Sequence, residues 1–133
     1  MSNYVTDTHG LIWYLEDAPQ LGPGARSAFD ACDAGASLIY VPTICLVEII
    51  YLQEKGRLAS NLRQQLYAEL QTGATGLALA DLTAEIAEAV AQIPRGDVPD
   101  LPDRIIAATA LQLNLPLISR DRKIRLSGLD VVW

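Results

Sequence analysis

The sequence predicts an α/β domain with a mainly parallel central sheet and helices on both of its faces. Three observations predict it. Short runs that are apolar on both faces recur along the chain, the stretches between them carry helical spacing, and the two kinds of segment alternate throughout. With 133 residues, half of them hydrophobic, the chain is large enough to bury a core without disulfide or metal staples, so a single domain over 1–133 is expected.

Tyr4 to Thr6 forms the first apolar run, and the stretch 8–16 follows with helical spacing. A second helical stretch, 23–34, opens at Pro23, a residue suited to a first helical turn, and leads into the run Leu38 to Val41. The helical stretches 43–55 and 58–72 precede Leu77 to Leu79. Stretches 83–93 and 102–114 then lead to Leu115 to Ile118, and Val131 with Val132 closes the series. In open sheets of this kind, ligands bind beyond the carboxyl ends of the strands. No internal repeat, low-complexity segment or long linker interrupts the pattern. Leu21-Gly22-Pro23-Gly24 does not follow a strand in the manner of a phosphate loop and reads as a turn.

Composition removes several classes of function. Cys32 and Cys45 lie in different segments, with no CxxC or Cys/His spacing, which indicates neither a disulfide framework nor a zinc site and fits a reducing cytoplasm. Residues 1–10 carry no basic stretch followed by an apolar one and read as a first strand rather than a secretory signal. The most apolar stretch, Ile44 to Leu52, is interrupted by Glu48 and falls short of the roughly 20 residues a membrane-spanning helix needs. A formal charge of −6 argues against charge-driven nucleic-acid binding over the whole surface. Any such contact is expected to be local. Arg120, Arg122, Lys123 and Arg125 lie close together and offer one such patch, with Arg120, Arg122 and Lys123 as candidate RNA contacts, although a solvated charged face explains them equally well.

Four acids stand out. Asp7 directly follows the first apolar run, where a site residue would sit and where an Asp also serves as a helix N-cap. Glu48 lies in Ile44-Cys45-Leu46-Val47-Glu48-Ile49-Ile50, through which no polar helix face passes. An ionised carboxylate buried among such residues costs several kcal/mol, in roughly any reckoning, unless it is paired or bound to a cation. Asp103 follows Pro102 at the start of an apolar helical stretch, where the helix dipole alone favours an acid by roughly 0.3–1 kcal/mol; Asp100 is a weaker version of the same case. Asp121 follows Leu115 to Ile118 through Ser119 and Arg120. Each of Asp7, Asp103 and Asp121 has a capping explanation. Three acids at strand ends or helix starts on one predicted edge, with a fourth in an apolar helix, point to one site.

Like charges crowded together need a cation. Oxygen donors without histidine or cysteine suit Mg²⁺ or Mn²⁺, and such an ion supports phosphodiester hydrolysis by activating water and stabilising charge on the phosphate. Thr8 and Ser119 are expected to add hydroxyl hydrogen bonds. His9, the only histidine, has no serine or cysteine with a claim to it and reads mainly as structural, with a supporting or substrate contact beside Asp7 as the alternative.

These residues carry a resemblance. The chain resembles the PIN-domain ribonucleases, and among them the VapC-type toxins of toxin-antitoxin pairs. The resemblance rests on Val5-Thr6-Asp7-Thr8-His9 with Leu11-Ile12-Trp13, on Glu48 after Val41-Pro42, on Asp103-Arg104-Ile105-Ile106-Ala107-Ala108-Thr109-Ala110, and on Leu117-Ile118-Ser119-Arg120-Asp121. It spans essentially the whole chain. It implies a three-layer α/β/α sandwich and a Mg²⁺- or Mn²⁺-dependent endoribonuclease in which Asp7, Glu48, Asp103 and Asp121 match the family's acids, Asp7 and Asp103 as principal metal ligands. It further implies a homodimer and a small antitoxin partner. Asp100-Leu101-Pro102-Asp103 departs from the Asp-Pro-Phe-Asp of many relatives, which leaves the acid in place and opens the question of the RNA target.

Two other classes are weighed. A catalytically inert PIN-like binding or assembly module fits the acidic surface, but gives no reason for Glu48. A phosphatase or phospho-accepting receiver domain also places aspartates at strand ends, yet here only Asp81 after Leu79 supports it.

Overall fold

The computed structural model describes residues 2–121, 123, 124 and 128–133. Among them, five strands form one sheet: β1 (Tyr4–Thr6), β2 (Ile39–Pro42), β3 (Leu77–Ala80), β4 (Leu117–Ile118) and β5 (Val131–Val132). The order across the sheet is β3-β2-β1-β4-β5, and every neighbouring pair is parallel. The helices are α1 (Thr8–Leu15), α2 (Pro23–Asp33), α3 (Thr43–Glu54), α4 (Leu62–Thr72), α5 (Ala84–Ala89) and α6 (Leu101–Leu113).

The order of strands explains where a site can form. The chain winds outward from β1 through β2 to β3, and then crosses back over β1 to β4. Crossovers between parallel strands are right-handed, so this reversal puts helices on both faces and gives the expected α/β/α sandwich. It also opens a crevice between the carboxyl ends of β1 and β4, the point at which the winding reverses.

The sheet's centre is the core. Val5, Ile39, Val41, Leu117 and Ile118 are fully buried, and Leu11, Phe29, Ile49, Leu66 and Ile106 pack on them from the helices. Burying side chains of this size stabilises by roughly 1.5–3 kcal/mol each, which is why strands only two to four residues long hold their register.

Element boundaries depart from the sequence reading in three places. The stretch 83–93 splits into α5 and a 3-10 turn, Val90–Gln92, ending at Ile93 because the following Pro94 holds that residue extended. The fourth helix starts at Leu62 rather than 58. β4 is confined to Leu117–Ile118, since α6 ends only at Asn114, in a left-handed conformation with φ 54°. Pro116 still contributes its carbonyl to Val5 at 3.0 Å.

Candidate active site

Each of the four acids is delivered to the reversal point by a different element. Asp7 follows β1, Glu48 sits in the helix after β2, Asp103 occupies the first turn of α6, and Asp121 lies just beyond β4. All four are half-buried and line one cavity of about 370 Å³, with Thr8, Asp100 and Arg120 beside them.

Asp7 both caps α1 and borders the cavity. Its Oδ1 accepts the Gly10 N–H at 2.8 Å as the N-cap of α1, while the same carboxylate borders the cavity. Gly10 is required here, because a Cβ at that position would lie 2.9 Å from Asp7 Oδ1 and 3.1 Å from Thr6 Oγ1. Ser119 is fully buried; its Oγ accepts the Asp121 N–H at 3.0 Å, and its hydroxyl hydrogen-bonds to Asp7. One serine therefore ties the ends of β1 and β4 together at the acids. Asp121 also accepts the Lys123 N–H at 2.9 Å, so its capping explanation holds alongside its place in the cavity.

Thr8 donates its hydroxyl to Glu48 Oε1 and holds that side chain toward β1. The expectation that Glu48 is buried in an apolar helix needs correcting. It is half-buried, and its apolar neighbours Val47 and Tyr51 are 56% and 58% exposed. The apolar run around Glu48 thus reflects a helix with apolar residues on its open side as well as its core side.

At α6, the two aspartates divide the work. Asp100 caps the helix, its Oδ1 accepting the Asp103 N–H at 3.0 Å, which leaves the Asp103 carboxylate to the cavity. Arg104 anchors the same turn by donating from Nη2 to the Val90 and Ile93 carbonyls, each at 2.9 Å.

Burial and mutual repulsion dominate the electrostatics. Burial pushes the Asp103 carboxyl up to about 7, with Asp100, Glu48, Asp121 and Asp7 all adding to the rise. Asp7 is raised as well, chiefly by burial, against the lowering effect of the Gly10 N–H, Ser119 and His9. Among the described residues the one salt bridge, Arg26 to Asp17, lies elsewhere, so none of the four acids is in an ion pair there. A divalent cation would offset their crowding. Among the described residues, no three Asp, Glu, His or Cys side chains converge into a ready-made metal cage. The donor set nonetheless fits Mg²⁺ or Mn²⁺, since Mg²⁺ retains most of its waters and takes only one or two carboxylates directly.

Sequence reasoning missed the other half of the cavity, which is aromatic. Trp13 and Trp133 line it with His9. His9, read from the sequence mainly as structural, is an exposed cavity residue with its ring 5.3 Å from that of Trp13. Their i, i+4 spacing on α1 was the available signal. Trp133 gave none. It meets Trp13 edge-on at 5.8 Å, and its carbonyl accepts the N–H groups of Gly24 at 2.8 Å and Ala25 at 3.3 Å. Leu21-Gly22-Pro23-Gly24 is accordingly more than a turn: Gly22 caps α2, and a Cβ on it would meet Trp133 at 2.5 Å. Of the basic patch, Arg120 lines the cavity with its guanidinium over the Trp13 ring at 4.6 Å, and Lys123 is exposed. Arg122 and Arg125 lie outside the described residues.

Comparison with known proteins finds relatives over nearly the whole chain. The chain is 26% identical over 125 residues to Ribonuclease VapC22 of Mycobacterium tuberculosis, covering 94% of this chain and 92% of that one. Its fold matches VapBC2 from Rickettsia felis bound to a promoter DNA fragment, with a TM-score of 0.67 at 16% identity over 97% of this chain and 96% of the other. It also matches a DNA-bound VapBC from Salmonella typhimurium, with a TM-score of 0.67 at 20% identity over 98% and 97%. Residues 4–127, nearly the whole chain, match the sequence model of the PIN domain, and the chain belongs to the PIN domain family.

Proposed function

We propose that this protein is an endoribonuclease that hydrolyses RNA phosphodiester bonds with Mg²⁺ or Mn²⁺, and that it is the toxin of a toxin-antitoxin pair. The observation that carries the reading is the convergence of Asp7, Glu48, Asp103 and Asp121 on one cavity at the sheet's reversal point, with the Asp103 carboxyl raised to about 7 by burial and then by its acidic neighbours. The VapC22 relative, named a ribonuclease, and the VapBC neighbours support it.

In this reading Asp7 and Asp103 hold the cation, with Glu48 and Asp121 alongside. The cation supplies activation of a water and stabilisation of charge building on the scissile phosphate. The chain's own residues do the positioning. Thr8 fixes one oxygen of Glu48, and Ser119 orients Asp7 and the backbone of Asp121. Arg120, in the cavity lining, is the basic residue placed to meet the RNA backbone, with Arg122 and Lys123 following it in sequence. An inert binding or assembly module would have no use for four half-buried acids on one cavity, two of them, Asp7 and Asp103, pushed up by burial.

The partners follow from the same reading: a small antitoxin over the acidic cavity, a second copy of the chain in a homodimer, and a cytoplasmic setting. No helix among the described residues is long and apolar enough to cross a membrane. The test is calorimetry with Mg²⁺ and Mn²⁺ on metal-stripped, partner-free protein, paired with cleavage of single-stranded RNA. Wild type is expected to bind metal and cleave, and Asp103→Asn to lose binding and to slow cleavage on the order of 10²–10⁴-fold, the span for one positioned catalytic group. Undiminished cleavage by Asp103→Asn would sink the proposal.

A further inference from the structure

We propose that the aromatic half of the cavity is a base-stacking platform, on which a nucleobase next to the scissile phosphate lies against Trp13, Trp133 and the Arg120 guanidinium. The inference rests on the ribonuclease reading and adds to it the contact that supplies affinity.

The need for such a contact is electrostatic. A chain of net charge −6, with four acids lining its cavity, repels a polyanionic strand except where a cation intervenes. Neutral contacts must then carry much of the binding. Every nucleobase has a π-face, and aromatic rings and guanidinium planes are the groups on which unpaired bases stack.

The cavity gathers the chain's resources for this. Both of its tryptophans and its single histidine line it together with the carboxylates. Trp13 and Trp133 are half-buried, so each still presents part of its ring. Arg120 is exposed and rests on Trp13 at 4.6 Å instead of pairing with an acid. An arginine drawn onto an indole extends the stacking surface and keeps its charge beside the strand.

The platform is also rigidly built. Gly24 and Ala25 hold the Trp133 carbonyl from the start of α2, and the absence of a side chain at Gly22 and Gly24 makes room for that residue's backbone and ring. A tryptophan serving only to cover the core would not require two glycines to seat it beside the acids.

Because both tryptophans are in the cavity, fluorescence excited at the red edge, where tryptophan absorbs and the chain's five tyrosines do not, reads this site. Wild type in Ca²⁺, an oxygen-liganded divalent cation put in place of Mg²⁺, is titrated with oligoadenylate and with an abasic ribose-phosphate oligomer of the same length, while wild type in Mg²⁺ is assayed in parallel for RNA cleavage. Saturable quenching is expected with oligoadenylate, and binding roughly tenfold weaker with the abasic strand, the range for loss of one stacked base. Trp13→Leu and Trp133→Leu, each checked for fold by circular dichroism, are expected to weaken oligoadenylate binding by a similar factor while leaving abasic binding unchanged. Equal affinity for the two oligomers, or no fluorescence change with either, overturns the platform. Wild-type cleavage in the parallel assay then shows whether the ribonuclease reading stands without it or falls too.

Discussion

Two regions of this molecule crowd acids together, and only one is built as a site. Beyond the ends of β1 and β4, Asp7, Glu48, Asp103 and Asp121 are half-buried, and Asp7, Glu48 and Asp121 are held by neighbouring hydroxyl or backbone groups. Around Tyr14, a second cavity of about 330 Å³ is bordered by Asp17, Asp30, Asp33 and Glu69. There Asp17, Asp30 and Asp33 are exposed, and Arg26 pairs with Asp17 at 3.0 Å. The crowding is felt in both places: Tyr14 is pushed up to about 12, chiefly by burial and then by Asp33 and Asp30, and burial raises Glu69. What differs is relief. Three acids of the second group are exposed and one pairs with an arginine, whereas the first four are half-buried and, among the described residues, none is in a salt bridge. Acids in number do not make a site; acids fixed in place where solvent cannot disperse their charge do.

The largest expected effect tests that contrast directly. Asp103→Asn should reduce RNA cleavage on the order of 10²–10⁴-fold, while Glu69→Gln and Asp33→Asn leave it unchanged. A loss of cleavage in Glu69→Gln, with its melting temperature intact, would erase the distinction between the regions.

A smaller effect is expected from crowding the first region without altering its charge. Gly10→Ala places a methyl group 2.9 Å from Asp7 Oδ1 and 3.3 Å from an Ile118 methyl. Either Asp7 moves or the helix start does. Overpacking of this kind costs about 1–3 kcal/mol, so thermal unfolding should fall accordingly, and metal affinity with it. Unchanged metal affinity in a destabilised variant would show that Asp7's position does not matter to the cation.

The sequence was most informative where a residue's local pattern and its final place coincide. Strands apolar on both faces named the parallel sheet, and Asp7 and Asp121, which line the cavity, were singled out because a strand end is also an edge of the sheet. Asp103 was found, but its division of labour with Asp100 was not, since either can cap a helix and only the folded turn shows which one does. Glu48 was found for a reason that holds only in part, as its apolar surroundings are partly open to solvent. Trp133 was illegible. Its place beside Trp13 is set by contacts with Gly22, Gly24 and Ala25, more than a hundred positions away in sequence, and no local period encodes such pairings.

The smallest expected effect is on stability as a function of pH, and its sign follows from Asp103. In the fold this carboxyl titrates at about 7, against 3.8 for the unperturbed group. Between those values the folded chain holds a proton that the unfolded chain has released, so this group's contribution to stability is full below about pH 4 and is lost as the pH rises through about 7. Other carboxylates titrate in the same window, and subtracting the Asp103→Asn melting curve from that of the wild type cancels them. In chelator, the wild type should lose melting temperature relative to the variant as pH rises from 4 to 7. In Mg²⁺ the difference should shrink or change sign, because a cation bound to ionised carboxylates stabilises most where protons no longer compete for them. A wild-type-minus-variant difference that stays flat with pH in chelator would mean that Asp103 is as well solvated as the acids around Tyr14, and the contrast between the two regions would lose its electrostatic basis.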